Sequence, residues 1–429
     1  QITYPVMNQA NKYEVAQSLF DYMDAHKEHF IKAVKPEFQN DGASVGRGWD
    51  PKTGTGFWGE YGNYLWILYN YSQFLNHFPD SDRARTEFYP MLKRGLNFVI
   101  RNLEKDEKGI YHFPPDVSPE YKVGDKGVIP IADNNYNIAL MKWGLAEALR
   151  LAQKFDDKSE KVALYKQVKN NLVDLQIDPA TGIMVGKGYT MDYMHRHSSH
   201  LMAFYPLGLL DVNDADDYAL ADKSVERWLN RPKYGWGYKG YTYTIATAMY
   251  SRLSQGDKAL KSMHNYLTKF ATPNTFYREL GPVIETPMSS ASSTMEMLLQ
   301  SYNSAPQYDE VRVFTALPTA WKDASFNGLR TQGGHTVSAS YKDGKTNAIT
   351  LTAGSDREVR IVYSGGQLNI NNGPASAQRV ETIGQFNSVS VKLKKGEVVR
   401  IGTALEHDSR IHVNAQKEYH FGINSQHIK

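Results

Sequence analysis

From about residue 9 to 304, apolar side chains recur at the three-to-four-residue spacing of one-sided helices. The pattern predicts helices near 9–34, 60–77, 84–104, 131–154, 158–175, 197–210, 215–230, 240–255, 257–270 and 289–303. Loops rich in Gly, Pro, Asp and Asn separate them, as at Phe78-Pro79-Asp80-Ser81-Asp82 and Asp211-Val212-Asn213-Asp214. Helices that alternate in this way form hairpins. Closing the hairpins into an α/α toroid gives each apolar stripe a neighbour and leaves loops at both ends. An open solenoid of helix pairs is the rival arrangement, but no fixed-length repeat supports it.

After residue 305 the period changes from helical to alternating. Val311–Phe314, Thr336–Tyr341, Asn347–Thr352, Val359–Tyr363, Ser388–Leu393 and Val398–Ile401 read as short strands with turns such as Lys342-Asp343-Gly344-Lys345 between them. The expected organisation is therefore mainly α. A toroidal catalytic domain over 1–305 is followed by a C-terminal β-sandwich over 306–429 that carries no concentrated chemistry. An independent sugar-binding role for the sandwich is the alternative to simple bracing.

Composition narrows the chemistry. Aromatics make up 12% of the chain, including 28 Tyr, and aromatic faces suit either sugar rings or a helical core. The formal charge is +3 with no dense basic run, so neither nucleic acid nor a membrane surface is an expected partner. No cysteine is present, which excludes disulfides, thiolate metal sites and a cysteine nucleophile. No apolar run is long enough to span a bilayer. Gln1 opens directly into structured-looking sequence without a signal peptide. The expectation is a trimmed, exported protein, periplasmic or extracellular, or a piece of a longer one.

Five segments carry candidate chemistry. Phe57–Trp66 sets Glu60, Asn63 and several rings at a helix start, where a carboxylate also suits the helix dipole. Phe113–Tyr121 mounts Glu120 behind prolines. Ile131–Asn137 opens a long helix with Asp133 and Asn134, which are first of all capping residues. Tyr193–Pro206 packs His195, Arg196, His197 and His200 together, and the three histidines cannot share one helical face. No His-Glu-x-x-His pattern accompanies them, so neither a metal nor any other cofactor is expected. Gly281–Ser290 holds Glu285 between Gly-Pro and Thr-Pro. Two loop carboxylates suit glycosidic hydrolysis. A His or Tyr base beside Asn, Arg or Glu suits β-elimination of a uronide, and residue inventory leaves both open.

His195-Arg196-His197-Ser198-Ser199-His200-Leu201 with Tyr205-Pro206 resembles the His-Arg-His-x-Ser-His-Leu-x-x-x-Tyr-Pro signature of glycoside hydrolase family 95. Ser118-Pro119-Glu120 resembles that family's Ser-Pro-Glu-Asn loop, and Asp133-Asn134 resembles its next helix opening. Glu296–Ser301 with Ala316–Trp321 resembles the entry to its C-terminal β-domain. The resemblance implies an (α/α)6 barrel with β-domains and inverting exo-hydrolysis of α-L-fucosides or α-L-galactosides. It makes Glu120 the general acid and Arg196 and His197 sugar-holding residues, and it sets Glu285 where the family has an aspartate that polarises a catalytic asparagine. Trp58, Glu60, Asn63, Tyr64, Trp66, Asn134 and His195 complete the candidate substrate-binding set, with His195 and His200 forming its wall. The family's His-x-Asn-x-Asn run aligns with Gly62-Asn63-Tyr64-Leu65-Trp66, so its histidine and asparagines are replaced and Asn63 is offset by one. The family's large N-terminal β-domain has no counterpart here and is expected as an additional domain. A changed chemistry (elimination) or a non-catalytic sugar-binding relative are the alternatives to hydrolysis.

Overall fold

The computed structural model describes residues 2–48, 50, 52, 60–231, 237–274, 277–278, 282–302, 308–372 and 380–403. The chain divides into two compact units. One contains residues 17–75 and 80–237; the other contains 2–16, 76–79 and the chain from 238 onward.

The first unit is built on helices α1 (Asn63–His77), α2 (Tyr89–Arg101), α3 (Asn135–Phe155), α4 (Glu160–Asn171) and α5 (Ala215–Leu229). Their limits follow from local chemistry. The Asp80 carboxylate accepts from Arg83 N to start the turn that leads through Ala84–Phe88 into α2. Asn134 caps α3 by accepting from Asn137 N, and Asp156 in the left-handed region (φ +55°) ends it. Asp214 accepts from the amides of Asp216 and Asp217 to open α5. The interior stripe of α3 (Ile138, Leu140, Met141, Leu145, Leu151) is fully buried, and α3 packs against both α2 and α4.

Two expectations fail here. The helix expected over 9–34 is broken into Pro5–Gln9, Tyr13–Ala16, Ser18–Ala25 and Lys27–Lys32. Helical spacing survives each break, so periodicity alone does not register them. The helix expected over 197–210 is a single 3-10 turn, Ser199–Leu201, followed by turns to Leu207. Pro206 lacks an N–H and clashes with the preceding helical turn, and it pushes Tyr205 away from helical dihedrals. Leu201, Met202, Ala203 and Phe204 are also buried consecutively, which is not a one-sided stripe.

Between α2 and α3 lies a short hairpin, β1 (Asp116–Lys122) and β2 (Val128–Ile131), with its register shifted between Val117 and Lys122. That irregularity is a bulge, and it carries Glu120 at φ +56°.

The second unit holds α6 (Gly240–Arg252), α7 (Gly256–Lys269) and α8 (Glu285–Leu298). Almost all of α6 is buried, and both α7 and α8 pack on it. Contact at the start of α7 is close enough to demand glycine: a Cβ on Gly256 would lie 2.3 Å from the Leu317 carbonyl oxygen. The helix expected over 289–303 ends early because Leu299–Tyr302 becomes strand β3 and pairs with residues 310–313.

The strands that follow are β4 (Tyr308–Val313), β5 (Ala324–Arg330), β6 (Thr336–Lys342), β7 (Lys345–Thr352), β8 (Arg357–Tyr363), β9 (Ile370–Asn372), β10 (Val380–Ile383), β11 (Phe386–Leu393) and β12 (Val398–Gly402). They form two five-stranded sheets, ordered β10-β11-β8-β4-β3 and β5-β6-β7-β12-β9. Among the described strands of these two sheets only the β4–β8 pair is parallel. Alternate residues Val337, Ala339, Ile349, Leu351, Val359, Ile361, Val389, Val391, Val399 and Ile401 fill the space between them. Every strand expected from the alternating pattern is present. The additional ones (β3, β5, β9, β10) are short or carry too few apolar residues to declare themselves.

Candidate active site

The site in the first unit is assembled from β1 and the irregular chain at 193–200. Three contacts lace these segments together. Ser118 Oγ and Ser199 Oγ lie 2.9 Å apart, His195 Nε2 donates to the Pro119 carbonyl at 3.0 Å, and Tyr121 stands edge-on to the His195 ring at 5.5 Å. From α5, Trp228 Nε1 donates to the His195 carbonyl at 2.8 Å. Burial holds the His195 imidazole well below its ordinary pKa, so it is neutral and structural. His200 is buried as well, and burial lowers it to about 3. Both stand as wall beneath the exposed part of the segment.

Above that wall Arg196 and His197 converge on Glu120. Arg196 Nη2 makes a short ion pair with Glu120 Oε2, and His197 Nε2 lies 3.0 Å from the same oxygen. His197 Nε2 is also 3.3 Å from Arg196 Nε. A nitrogen that donates to the carboxylate cannot accept from the guanidinium, and the shorter contact to a charged acceptor is the stronger one. The other carboxylate oxygen, Oε1, receives Arg47 Nη2 at 2.9 Å. The His197 hydrogen bond, reinforced by Arg196 and Arg47 and opposed by partial burial, holds the Glu120 carboxyl below the usual glutamate range. Glu120 is thus ionised near neutrality in the free protein. Its left-handed backbone is uncommon for a non-glycine residue, and the bulge is what aims it at Arg196 and His197.

Arg47 connects this group to a second one. Its Nε is 3.4 Å from Oε1 of the buried Glu60. Glu60 Oε2 accepts from Asn63 Nδ2 at 2.6 Å, and Asn63 Oδ1 accepts from Tyr136 OH at 2.6 Å. Beneath them Asp116 Oδ2 accepts from Tyr61 N at 3.0 Å and from Asn137 Nδ2 at 2.7 Å. Burial raises the Asp116 carboxyl despite those donors. Asn134 Nδ2 donates to the Asp116 carbonyl at 3.1 Å, and Asp133 accepts from Phe113 N and pairs with His112 Nδ1, each at 2.8 Å. This close fit needs Gly62, where a Cβ would lie 2.8 Å from both Asn137 Oδ1 and Tyr136 Cε1.

Of the sequence-predicted residues, Glu120, Arg196, His197, Glu60 and Asn63 come together. Trp66 is half-buried, edge-on to Tyr136 at 5.9 Å. Three predicted substrate contacts are buried. Tyr64 is 1% exposed and packs its ring on Phe30; Asn134 is fully buried as a helix cap; His195 is 1% exposed. Trp58 lies outside the described residues. Glu285 is exposed in the first turn of α8, in the second unit.

Sequence reasoning missed Arg47, Asp116, Tyr136 and Asn137. Arg47 is the lone charge between Gly42 and Gly48, and Asp116 lies four residues before Glu120. Those were the available signals, and both are weak. Among the described residues no three His, Asp or Glu side chains converge as a metal set, and no helix is long and apolar enough to cross a membrane.

The first unit thus carries a helical scaffold with a carboxylate gripped by Arg and His, and the second unit carries a β-sandwich. The chain belongs to glycosyl hydrolase family 95: the family's catalytic domain matches residues 1–298, and its C-terminal domain matches residues 305–401. The fold class is accordingly an (α/α) toroid of the six-hairpin type with a C-terminal β-sandwich. "Alpha-L-fucosidase 2" of Arabidopsis thaliana is 24% identical over 82% of this chain and 44% of its own length. "Probable alpha-fucosidase A" of Aspergillus niger is 24% identical over 71% of this chain and 40% of its own length. The chain therefore spans less than half of each of these relatives. Among solved structures, a putative kojibiose phosphorylase from the human microbiome aligns with 85% of this chain and 51% of its own, at 11% identity and a TM-score of 0.48.

Proposed function

We propose that this chain hydrolyses glycosidic bonds, with inversion and from chain ends, in an α-L-fucoside- or α-L-galactoside-like substrate of plant, algal or host origin. One observation carries the reading: Glu120, turned out on a bulge, is held on one oxygen by Arg196 and His197 of the family's own signature. In this reading residues 1–305 are the catalytic domain and 306–429 a supporting sandwich. The protein works outside the cytoplasm of a bacterium, and the family's N-terminal β-domain accompanies it.

Glu120 is the proton donor. An acid catalyst must carry a proton, and in the free protein the surrounding cations keep Glu120 without one. A bound sugar whose hydroxyls engage Arg196 and His197 removes part of that cationic stabilisation and also displaces water. Both changes favour the protonated form. The proton then passes to the leaving glycosidic oxygen as the C–O bond breaks. A water deprotonated by the second carboxylate, Glu285, attacks the anomeric carbon from the opposite face. Elimination of a uronide is the weaker reading, because His195, one of its candidate bases, is buried and bonded to a carbonyl.

Product mass on a panel of fucose- and galactose-containing glycans decides the class, since hydrolysis adds a water and elimination does not. Glu120→Gln should abolish turnover while preserving binding. Retained hydrolysis in that variant would overturn the assignment.

A further inference from the structure

We propose that Arg47 is a positioning residue for the proton donor: a counter-ion anchored on buried Glu60 that caps the one Glu120 oxygen left free by Arg196 and His197. The inference rests on the glycosidase reading. It begins with how the carboxylate is shared. Arg196 and His197 both bind Oε2, whereas among the described residues Arg47 alone binds Oε1. While Arg196 and His197 hold Oε2, a proton that Glu120 delivers to a leaving oxygen sits on Oε1, the atom Arg47 covers. Delivery requires Arg47 to move aside.

Arg47 is built to do so. Its side chain is 42% exposed, against 18% for Arg196, and residues 42–48 form no helix or strand. It already has a second acceptor, Glu60 Oε1, at 3.4 Å from its Nε. Glu60 is 4% exposed and otherwise held by Asn63, so a nearby cation also compensates a charge that is costly to bury alone. Retreat from Glu120 toward Glu60 is thus a short shift between two carboxylates. It gives up the contact to Glu120 and shortens the one to Glu60.

The charged and titratable groups facing Glu120 are Arg47 with Glu60 behind it, and Arg196, His197 and buried His195 from the 193–200 segment. Asp116 and Lys122 share its strand. Removing the positive charge of Arg47 makes Glu120 easier to protonate. Removing the Glu60 charge commits Arg47 wholly to Glu120 and makes protonation harder.

The test is the pH profile of kcat/KM, whose basic limb reports the acid in the free enzyme. Arg47→Gln should move that limb upward by roughly half a unit to one unit, the low end of the range for a lost neighbouring cation because the side chain is partly exposed. Glu60→Gln should move it downward. A merely structural role would lower activity evenly and leave both limbs in place, and that result overturns the proposal. Glu60→Gln carries the test if Arg47→Gln does not fold. Titration of the Glu120 carboxyl by 13C NMR, assigned by its loss in Glu120→Gln, gives a readout without turnover. If no glycan is hydrolysed, the glycosidase reading fails alone, and an unmoved Glu120 titration in Arg47→Gln sinks the Arg47 assignment separately.

Discussion

His200→Leu tests the claim that the histidine cluster is wall at its base and chemistry only at its rim. His200 is fully buried, and neither ring nitrogen has a hydrogen-bond partner among the described residues. Burial lowers its pKa from 6.5 to about 3. In the unfolded chain the imidazole takes up a proton as pH falls through 6.5, while the folded chain refuses it until about 3. Stability is therefore fully present above 6.5 and is lost progressively as pH falls toward the folded value. Between pH 7 and about pH 5 the unfolded state gains over a unit of protonation free energy, about 2 kcal/mol at ~1.4 kcal/mol per unit. His195 adds a loss of the same sign, so the informative quantity is the difference between variant and wild type. Urea unfolding at the two pH values supplies it. His200→Leu, similar in bulk and free of buried unpartnered nitrogens, should be at least as stable as wild type near neutrality. It should also lose about 2 kcal/mol less on acidification. Equal losses in the two proteins would refute the assignment of a neutral, buried His200.

Further outcomes follow from the same geometry. Asn134→Ala removes the α3 cap and the bond to the Asp116 carbonyl, and thermal melts should show a loss of about 1–2 kcal/mol. Its kcat/KM should fall as well, because Asp116, which holds the Tyr61 amide next to Glu60, loosens. Gly256→Ala puts a methyl against the Leu317 carbonyl and should destabilise the second unit by about 1–3 kcal/mol, read as a lower urea midpoint with an unchanged Glu120 titration. Glu285→Gln should cut kcat at least 100-fold with little change in KM if Glu285 activates the water, on the scale of about 10²–10⁴ for general acid–base groups. A near-normal kcat would remove Glu285 from the mechanism.

The family was legible in short runs of sequence because catalytic motifs are local. Ser118-Pro119-Glu120 and His195–Leu201 can be recognised without knowing how far apart they fold. The sandwich strands were legible for a related reason: a residue buried between two sheets must alternate, and Val337, Ala339, Ile349 and Leu351 do. Helical periodicity, in contrast, records only which residues face inward. It ran unbroken across the N-terminal helix breaks, and it made 197–210 look helical although Pro206 forbids that and the apolar residues there are buried all round.

Roles within the site belonged to the tertiary structure. Tyr64, Asn134 and His195 have side chains that suit sugars, but burial alone decides whether a ring or an amide meets a ligand or a neighbour. Arg47 is the converse case. It is an unremarked arginine in a glycine-rich loop, and nothing local distinguishes it from a solvated surface charge. Only the folded chain brings its guanidinium to Glu120 Oε1 and Glu60 Oε1 at once. Charge interactions act through space and depend steeply on distance and burial. The sequence by itself therefore determined the family, the two kinds of architecture and the motifs. Which carboxylate is ionised, and by whom, was decided only when residues 47, 60, 120, 196 and 197 were folded onto one another.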